Sequence, residues 1–399
     1  MNRLVYIASI FALLGVMAQN FTQPTATRAA DPASTASTAS HANSVKTVVQ
    51  VPDLAELNKM AKRFAPTPIK VDLSKLSAGD RKALPKLLKA ARLIDKVFMN
   101  QIWAGNAALY ERLKQDNTPL GKARLHAFWT NKSPWSDLDD YKAFIPGVPA
   151  RKLPGANFYP ENMTKANFEQ WCAKLSPKDQ EQAKSFFTVI RWQKDAKGKK
   201  TLVSIPYSAE YAVEITHAAN LLKDAAKLTD NASLKKFLNS RADAFLTNEY
   251  YDSDVAWMDL DAPLDVTIGP YETYNDELFG YKAGYEAYIN LRDDAESAKL
   301  SAFSAHLQEI ENNLPLEQKY KNKKLGSSTA IRVVDEIFSA GDAAHGVQTA
   351  AYNLPNDDKV VQEKGSKRVM LKNVQEAKFR SVLVPIAART LSKADMADV

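Results

Sequence analysis

The sequence contains few of the residues and motifs that usually mark a reactive site or a cross-linked fold. One cysteine, Cys172, occurs among 399 residues, so an internal disulfide is impossible and stability must come from a buried core. Cys172 stands at helical spacing from Phe168 and directly after Trp171, which is typical of a packed apolar side chain rather than of a nucleophile. The motifs HExxH, CxxC, His-x-His, GxSxG and the phosphate-binding glycine loop are all absent. Any functional site must therefore be sought in less common patterns.

Concentrated charge of one sign is also lacking. Basic residues number 53 and acidic residues 46, which leaves a modest net charge of +7. The densest basic clusters, 194–200 and 319–324, carry no series of interleaved aromatic residues of the kind found on nucleic-acid-binding surfaces. We predict solvated loops at both clusters and no nucleic-acid partner.

The longest apolar run stands at the amino terminus. Arg3 precedes the run Leu4–Ala18, which ends in small residues at the spacing that a signal peptidase reads and is short for a membrane span. We predict a signal peptide over residues 1–18 and a flexible tether, rich in Ala, Ser and Thr, over residues 19–50. The expected location is periplasmic or secreted, with no stable membrane insertion after cleavage.

Beyond the tether, the hydrophobic spacing changes between a helical and a strand-like pattern. Apolar residues recur every three or four positions over 78–115, 164–190 and 208–246, which predicts amphipathic helices. From Asp252 onward, short apolar runs, β-branched residues and turn signals predict strands, and Leu300–Leu314 returns to a helical stripe. We expect an α+β fold that is predominantly helical and two-lobed, with a compact β-barrel-like element.

The segment Asp265–Tyr274 is the most distinctive candidate for a functional site. If it is a strand, its side chains alternate between faces, so Glu272 and Tyr274 point the same way. A carboxylate and a phenol on one face can hold an amine and donate a hydrogen bond to a carbonyl, the two groups of a peptide amino terminus. The same two residues also suit an ion pair and a core tyrosine with a polar tip. The local pattern leaves both interpretations open.

Longer segments carry a resemblance to a known family. GPYETYNDELFGYKAGYEAYI, from Gly269 to Ile289, resembles the substrate strand of the dipeptidyl peptidase III family. AGDAAHGVQTAAYNLPNDD, from Ala340 to Asp358, resembles the second substrate segment of that family, which ends in Asn-x-Pro-Asn. PGANFYPENMTKANF and YYDSDVAWMDL are similar to its bacterial, exported branch. The resemblance covers most of the chain after Val51.

This resemblance implies roles for individual residues. Tyr274 matches the tyrosine that hydrogen-bonds the scissile carbonyl as it becomes an oxyanion. Glu272 and Glu286 match carboxylates that hold the free ammonium group of the substrate, and Asn353 and Asn356 match amides that dock its backbone. The implied substrates are short peptides, from whose amino terminus dipeptides are released.

The resemblance also implies a zinc ion in the complete enzyme. In the family the metal lies on a His-Glu helix downstream of the Asn segment, and no such ligands are identifiable in this chain. Asp276 matches an acid in the turn, for which a structural role is implied. We therefore expect residues 386–399 to begin an incomplete zinc lobe, and the chain to be an inactive amino-terminal part of the enzyme.

Three further regions complete the expected organisation. A mainly helical region spans 51–250, a mixed β substrate-binding lobe combines 251–292 and 326–385, and a helical excursion occupies 293–325. Two other functions stay open. The chain could be a non-catalytic peptide-binding protein, or a structural protein of the cell envelope in which Glu272 and Tyr274 serve only the core.

Overall fold

Helices dominate the described part of the chain. The computed structural model describes residues 51–194, 198–304, 306–321, 331–392 and 396. Its helices are α1 Leu54–Ala61, α2 Ala78–Ile102, α3 Asn106–Gln115, α4 Pro119–Asn131, α5 Lys165–Cys172, α6 Pro177–Lys184, α7 Tyr207–Glu210, α8 Ala212–Leu228, α9 Ala232–Thr247, α10 Tyr251–Met258, α11 Asp294–Ser304, α12 Leu307–Asn312, α13 Asp358–Lys364, α14 Lys372–Lys378 and α15 Val384–Thr390. Several begin at a side-chain cap, such as Ser77 before α2 and Asn231 before α9, which accepts a backbone N–H of the first turn.

A five-stranded mixed sheet forms the largest β element. Its strands are β5 Leu264–Glu272, β6 Gly284–Arg292, β7 Arg332–Gly341, β8 Ala351–Leu354 and β9 Lys367–Leu371, in the spatial order β5–β6–β7–β9–β8. Neighbouring strands are antiparallel except for β7 and β9, which are parallel. Two separate hairpins pair β1 Trp135–Ser136 with β2 Lys142–Ala143, and β3 Thr188–Lys194 with β4 Lys200–Pro206. The expected α+β class, mostly helical, is confirmed.

The predicted β-barrel-like element is wrong for the residues that the structure describes. No ladder joins the edge strands β8 and β5. Side chains link these edges instead: the hydroxyl oxygens of Tyr352 and Thr267 lie 3.0 Å apart, and Asn356 Nδ2 donates to the carbonyl oxygen of Tyr271 at 2.9 Å. With only four residues in β8, too few backbone groups are available to close the sheet.

The long helix α2 connects the helical layer to this sheet. Its apolar side chains at three- and four-residue spacing, such as Leu87, Ile94 and Phe98, are fully buried. The helix packs against α8 on one side and against β6 and β7 on another. Each large apolar side chain buried in this way contributes about 1.5–3 kcal/mol of transfer free energy. The helical pattern predicted over 78–115 is confirmed, with a break at 103–105.

The strands predicted from Asp252 begin later than expected. Residues 251–258 form α10, in which Ala256 and Trp257 are buried. Asp254 of the same helix is ion-paired with Arg241, a fully buried side chain of α9. These tertiary contacts outweigh the local pattern, as they often do in short segments. By contrast, the prediction that Cys172 packs as an apolar residue is confirmed, since its side chain is buried and its thiol is free.

Residues from 378 onward belong to a second unit, separate from the unit that ends at Ala377. Within its described part, a π-helical turn, Phe379–Leu383, leads directly into α15. The predicted signal peptide and tether lie outside the described residues. In the part of the chain that the structure describes, no helix is both long and apolar enough to cross a membrane.

Gly341, at the end of β7, is a point where two strands approach too closely for a side chain. Its φ is +67°, and a Cβ there would lie 2.2 Å from the carbonyl oxygen of Tyr285. Gly341→Ala should therefore lower the free energy of unfolding by about 3 kcal/mol or more, from strain and clash together. Gly147→Ala is the control, because φ is +76° and no heavy atom lies within 4 Å of its Cβ position. Urea unfolding should show a loss of only about 1–2 kcal/mol there, and equal losses would contradict the close approach.

Candidate functional site

Three acidic residues meet where β5, β6 and β7 end or begin. Glu272 is the last residue of β5 and pairs with Gly284, the first residue of β6. Glu286 lies two residues further along β6 and pairs with Gly341, the last residue of β7. Asp342 follows immediately after that strand. Because these are adjacent strands of one sheet, three carboxyl groups are gathered at one of its ends.

Burial and mutual repulsion perturb two of these carboxyl groups. Burial, together with the charge of Asp342, raises the pKa of Glu272 to about 7, against a smaller opposing effect of a hydrogen bond from Asn356. Glu286 is only 2% exposed, and burial, followed by the charges of Glu272 and Asp342, raises its pKa well above the ordinary value. Its Oε1 atom has no hydrogen-bond partner within the described structure. This electrostatic environment favours the arrival of a positively charged donor.

Asn356 is joined to this group of acids, whereas Asn353 is not. The Nδ2 atom of Asn356 donates to the carbonyl oxygen of Tyr271 and, at 3.2 Å, to Oε2 of Glu272. Asn353 lies on β8 with its side chain exposed, and alternation along the strand turns it away from the buried Tyr352. None of the described hydrogen bonds connects Asn353 with the three acids.

Tyr274 lies in the turn after β5, not on the strand. The ladder is irregular between Pro270 and Glu272, and β5 ends there, so the predicted strand Asp265–Tyr274 is two residues too long. The alternation argument that placed both side chains on one face therefore does not apply. Tyr274 is 62% exposed, yet partial burial and the charges of Glu272 and Asp342 raise its pKa to about 12. Its phenol is thus near the acids and remains a hydrogen-bond donor at neutral pH.

A single buried carboxylate organises the turn that carries Tyr274. Asp276 accepts hydrogen bonds from the hydroxyl of Tyr159 at 2.8 Å and from four backbone N–H groups, those of Leu278, Phe279, Tyr281 and Lys282. The side chain is 3% exposed. Backbone donors in a tight turn would otherwise be buried without partners. This arrangement agrees with the structural role that the resemblance implies for Asp276.

Asp342 and His345 are residues of the site that sequence reasoning missed. Oδ1 of Asp342 accepts a hydrogen bond from Asn275 Nδ2 and lies 3.0 Å from His345 Nδ1. Burial lowers the pKa of His345, but its hydrogen bonds to Asp342 and the charge of that residue outweigh burial, so the net pKa is raised. The imidazole ring also packs against Phe98, with ring centroids 5.4 Å apart. The sequence feature that could have indicated this pair is an acid, Asp342, directly after a strand and three residues before a histidine, His345.

A zinc ion does not fit the residues that the structure describes. No group of three or more His, Cys, Asp or Glu side chains among them is placed to hold a metal ion. The one imidazole recorded beside the acids at the ends of β5–β7, that of His345, is paired with Asp342, whereas a zinc site takes three or four His, Cys, Asp or Glu ligands around one point.

Comparisons with known families and with solved structures both find similarity to peptidases. Residues 160–394 match the family described as Peptidase family M49. The structure of dipeptidyl-peptidase III from Corallococcus sp. strain EGB aligns with a TM-score of 0.79 and 54% identity, covering 88% of this chain and 64% of that chain. The structure of DPP III from Caldithrix abyssi aligns with a TM-score of 0.80 and 47% identity, covering 85% of this chain and 64% of that chain.

Two curated relatives are longer still. Nudix hydrolase 3 of Arabidopsis thaliana is 43% identical over 381 residues, which are 84% of this chain and 49% of the relative. Dipeptidyl peptidase 3 of Nematostella vectensis is 28% identical over 202 residues, which are 46% of this chain and 26% of the relative. The chain therefore spans at most about half the length of these curated relatives.

The role of Asp276 can be tested by unfolding. Asp276→Ala removes five accepted hydrogen bonds from a buried turn and should lower the free energy of unfolding by about 3 kcal/mol or more. Asp53→Ala serves as the control, because Asp53 accepts one N–H at the exposed start of α1 and should account for about 1 kcal/mol. Urea titrations of both variants provide the measurement, and similar losses would show that Asp276 is not the anchor of the turn.

The raised pKa of Glu272 predicts a specific pH dependence of stability. The pKa rises from 4.5 in the unfolded chain to about 7, so between these values the folded protein binds more protons. The stabilising contribution is complete below pH 4.5 and is lost as the pH rises to 7 and above. Glu272→Gln should therefore match the parent protein at pH 4.5 and be more stable, by roughly 1–3 kcal/mol, at pH 8. Urea unfolding across this range checks the prediction, with the exposed Glu169→Gln as control, and a pH-independent difference would refute it.

Proposed function

The chain belongs to peptidase family M49, and from that premise we propose that the acids at the ends of β5–β7 hold the free amino end of a peptide. Membership of a peptidase family implies peptide substrates. In the proposed reaction, dipeptides are released from the amino terminus of short peptides, as in a dipeptidyl peptidase III. Counting residues from an amino end requires negative charge at a fixed distance from the scissile bond.

One observation supports this assignment more than any other. Glu286 is buried, its Oε1 has no partner in the described structure, and the charges of Glu272 and Asp342 act on it. Among the described residues, the cation recorded with any of these acids is His345, which is paired with Asp342. A peptide ammonium group has three N–H donors and a positive charge. It would supply a cationic partner for both glutamates and a hydrogen-bond donor for Oε1 of Glu286.

The remaining residues fit the other parts of a bound peptide. Tyr274 keeps its proton at neutral pH and is exposed beside the acids, so we assign it to the scissile carbonyl as an oxyanion donor. A well-placed donor of this kind contributes about 2.7–4 kcal/mol to stabilisation of a transition state. We assign Asn356 and Asn353 to the peptide backbone; of the two, Asn356 is the one already hydrogen-bonded to Glu272.

The proposal concerns recognition, for which the chain's own residues suffice. Family M49 is zinc-dependent, but the described residues do not fit zinc, and no step of the proposed binding passes through a metal. The carboxylates bind and orient the amino end, and Tyr274 and the asparagine amides orient the backbone that follows.

We also propose that the protein is exported. The proposal rests on the charged, apolar and small-residue order of residues 1–18, which lie outside the described structure. Determination of the amino-terminal sequence of the protein recovered from its native cells, together with fractionation of those cells, would test it. Recovery of the uncleaved chain in the cytoplasmic fraction would count against export.

Peptide binding provides the direct test of recognition. The purified chain should bind tetra-alanine with a free amino end at least about tenfold more tightly than N-acetyl-tetra-alanine, because a charge-assisted interaction contributes about 1.5–3 kcal/mol. Affinity for the free-amine peptide should rise as the pH approaches about 7, where Glu272 loses its proton, and should fall above about pH 8, where the peptide amine loses its own. Isothermal titration calorimetry at several pH values is the measurement.

The matching variant is Glu286→Gln, which keeps the size of the side chain and removes its charge. It should weaken binding of the free-amine peptide about tenfold and leave binding of the acetylated peptide unchanged. The exposed Glu169→Gln on α5 controls for the loss of one negative charge elsewhere. Equal affinities of the parent protein for the two peptides would contradict the proposed function.

A further inference from the structure

We propose that Asp342 is the third carboxylate of the amine-binding site and a determinant of its preference for a charged amino end. This inference rests on the proposed function of Glu272 and Glu286. Asp342 is brought to them by β7 and not by the segment that contains both glutamates. Its side chain is only 7% exposed, so the carboxylate is largely shielded from solvent.

The backbone that carries Asp342 is fixed in position. The N–H of Gly341 donates to Asp95 Oδ1 at 2.8 Å, which attaches the end of β7 to α2. Asp95 is itself paired with the buried Lys132, 3.2 Å away. Because strand and helix are tied at this point, the residue that follows Gly341 has little freedom to move away from the sheet.

The carboxylate of Asp342 lies beside Gly284, at the start of the strand that carries Glu286. A Cβ on Gly284 would be 3.6 Å from Asp342 Oδ2 and 3.4 Å from the carbonyl oxygen of Glu272. The missing side chain of Gly284 thus leaves room for Asp342 Oδ2 beside the residue that pairs with Glu272. The negative charge of Asp342 acts on Glu272, Glu286 and Tyr274 alike.

The two oxygens of this carboxylate have different surroundings. Oδ1 accepts from Asn275 and lies against His345, so it is occupied. No hydrogen bond among the described residues uses Oδ2, which is the oxygen nearer to Gly284. One oxygen therefore fixes the orientation of the group and the other is left for a ligand.

The charges around Asp342 decide which ligand fits. On the side of the sheet it faces Glu272, Glu286 and the neutral phenol of Tyr274. Asp342 is also paired with His345, on which the charge of Asp137 acts as well. Lys132, the residue after α4, is ion-paired with Asp95. Three carboxyl groups against one histidine leave an excess of negative charge whenever the glutamates are ionised. A neutral, acylated amino end gains nothing from that excess, whereas an ammonium group does.

The decisive variant is Asp342→Asn, which keeps an oxygen acceptor for Asn275 and removes the charge. By titration calorimetry at pH 7, it should bind free-amine tetra-alanine about tenfold more weakly than the parent protein. Binding of N-acetyl-tetra-alanine should not change, because that peptide has no charged end. Asp342→Glu, which restores the charge, should recover most of the lost affinity. If Asp342 served only packing, the longer side chain would not restore binding.

Asp224→Asn is the matched control, since it also removes one negative charge, from an ion pair with Lys86 between α2 and α8. If the parent protein discriminates between the two peptides and Asp342→Asn discriminates equally well, this inference is wrong while the proposed function stands. If the parent protein does not discriminate, both are wrong. Should Asp342→Asn fail to fold, Asp342→Glu decides alone, because loss of discrimination in a folded, charge-retaining variant would overturn the inference.

Discussion

The site depends on one constraint, the burial of Glu286 in the middle of a sheet without a cationic partner. An unpaired buried carboxylate costs several kcal/mol unless it is protonated or paired. β6 lies between β5 and β7 and pairs with both, so the backbone that carries Glu286 is held on each side. The folded protein therefore has lower free energy when a cation lies against this group. In the proposed function, that cation is the amino end of a peptide.

Such a constraint is useful only if the surroundings cannot relax. The turn after β5 is held by Asp276, which satisfies four backbone donors and one phenol, so Tyr274 has a fixed base. The end of β7 is held by the contact of Gly341 with both Tyr285 and Asp95. Rigid supports on two sides keep the acids together although they repel one another. The repulsion between the acids thus destabilises the folded protein, and the hydrogen bonds in the surrounding turn and strand offset that cost.

The sequence allowed prediction of features that depend on local spacing. Helical periodicity predicted α2 and α8. The resemblance to the dipeptidyl peptidase III family, not local spacing, singled out both Glu272 and Asn356, which the structure joins by a hydrogen bond. What the sequence did not predict depends on contacts between distant segments. Asn275 and Asp342 are 67 positions apart, and nothing in either segment indicates their hydrogen bond. The open sheet and the helix α10 were missed for the same reason, since strand length and the burial of Trp257 decide them.

The same contacts connect recognition with protonation. At neutral pH Glu272 is near its midpoint, and burial, together with the charges of Glu272 and Asp342, raises the pKa of Glu286; both shifts favour holding protons, which lowers the repulsion in the empty site. An arriving ammonium group stabilises the ionised carboxylates and displaces those protons. A neutral ligand offers no such compensation and leaves the protons in place. In the proposed function, selectivity for a charged amino end and release of protons on binding are therefore two consequences of one arrangement, three acids that the fold holds closer than their charges favour.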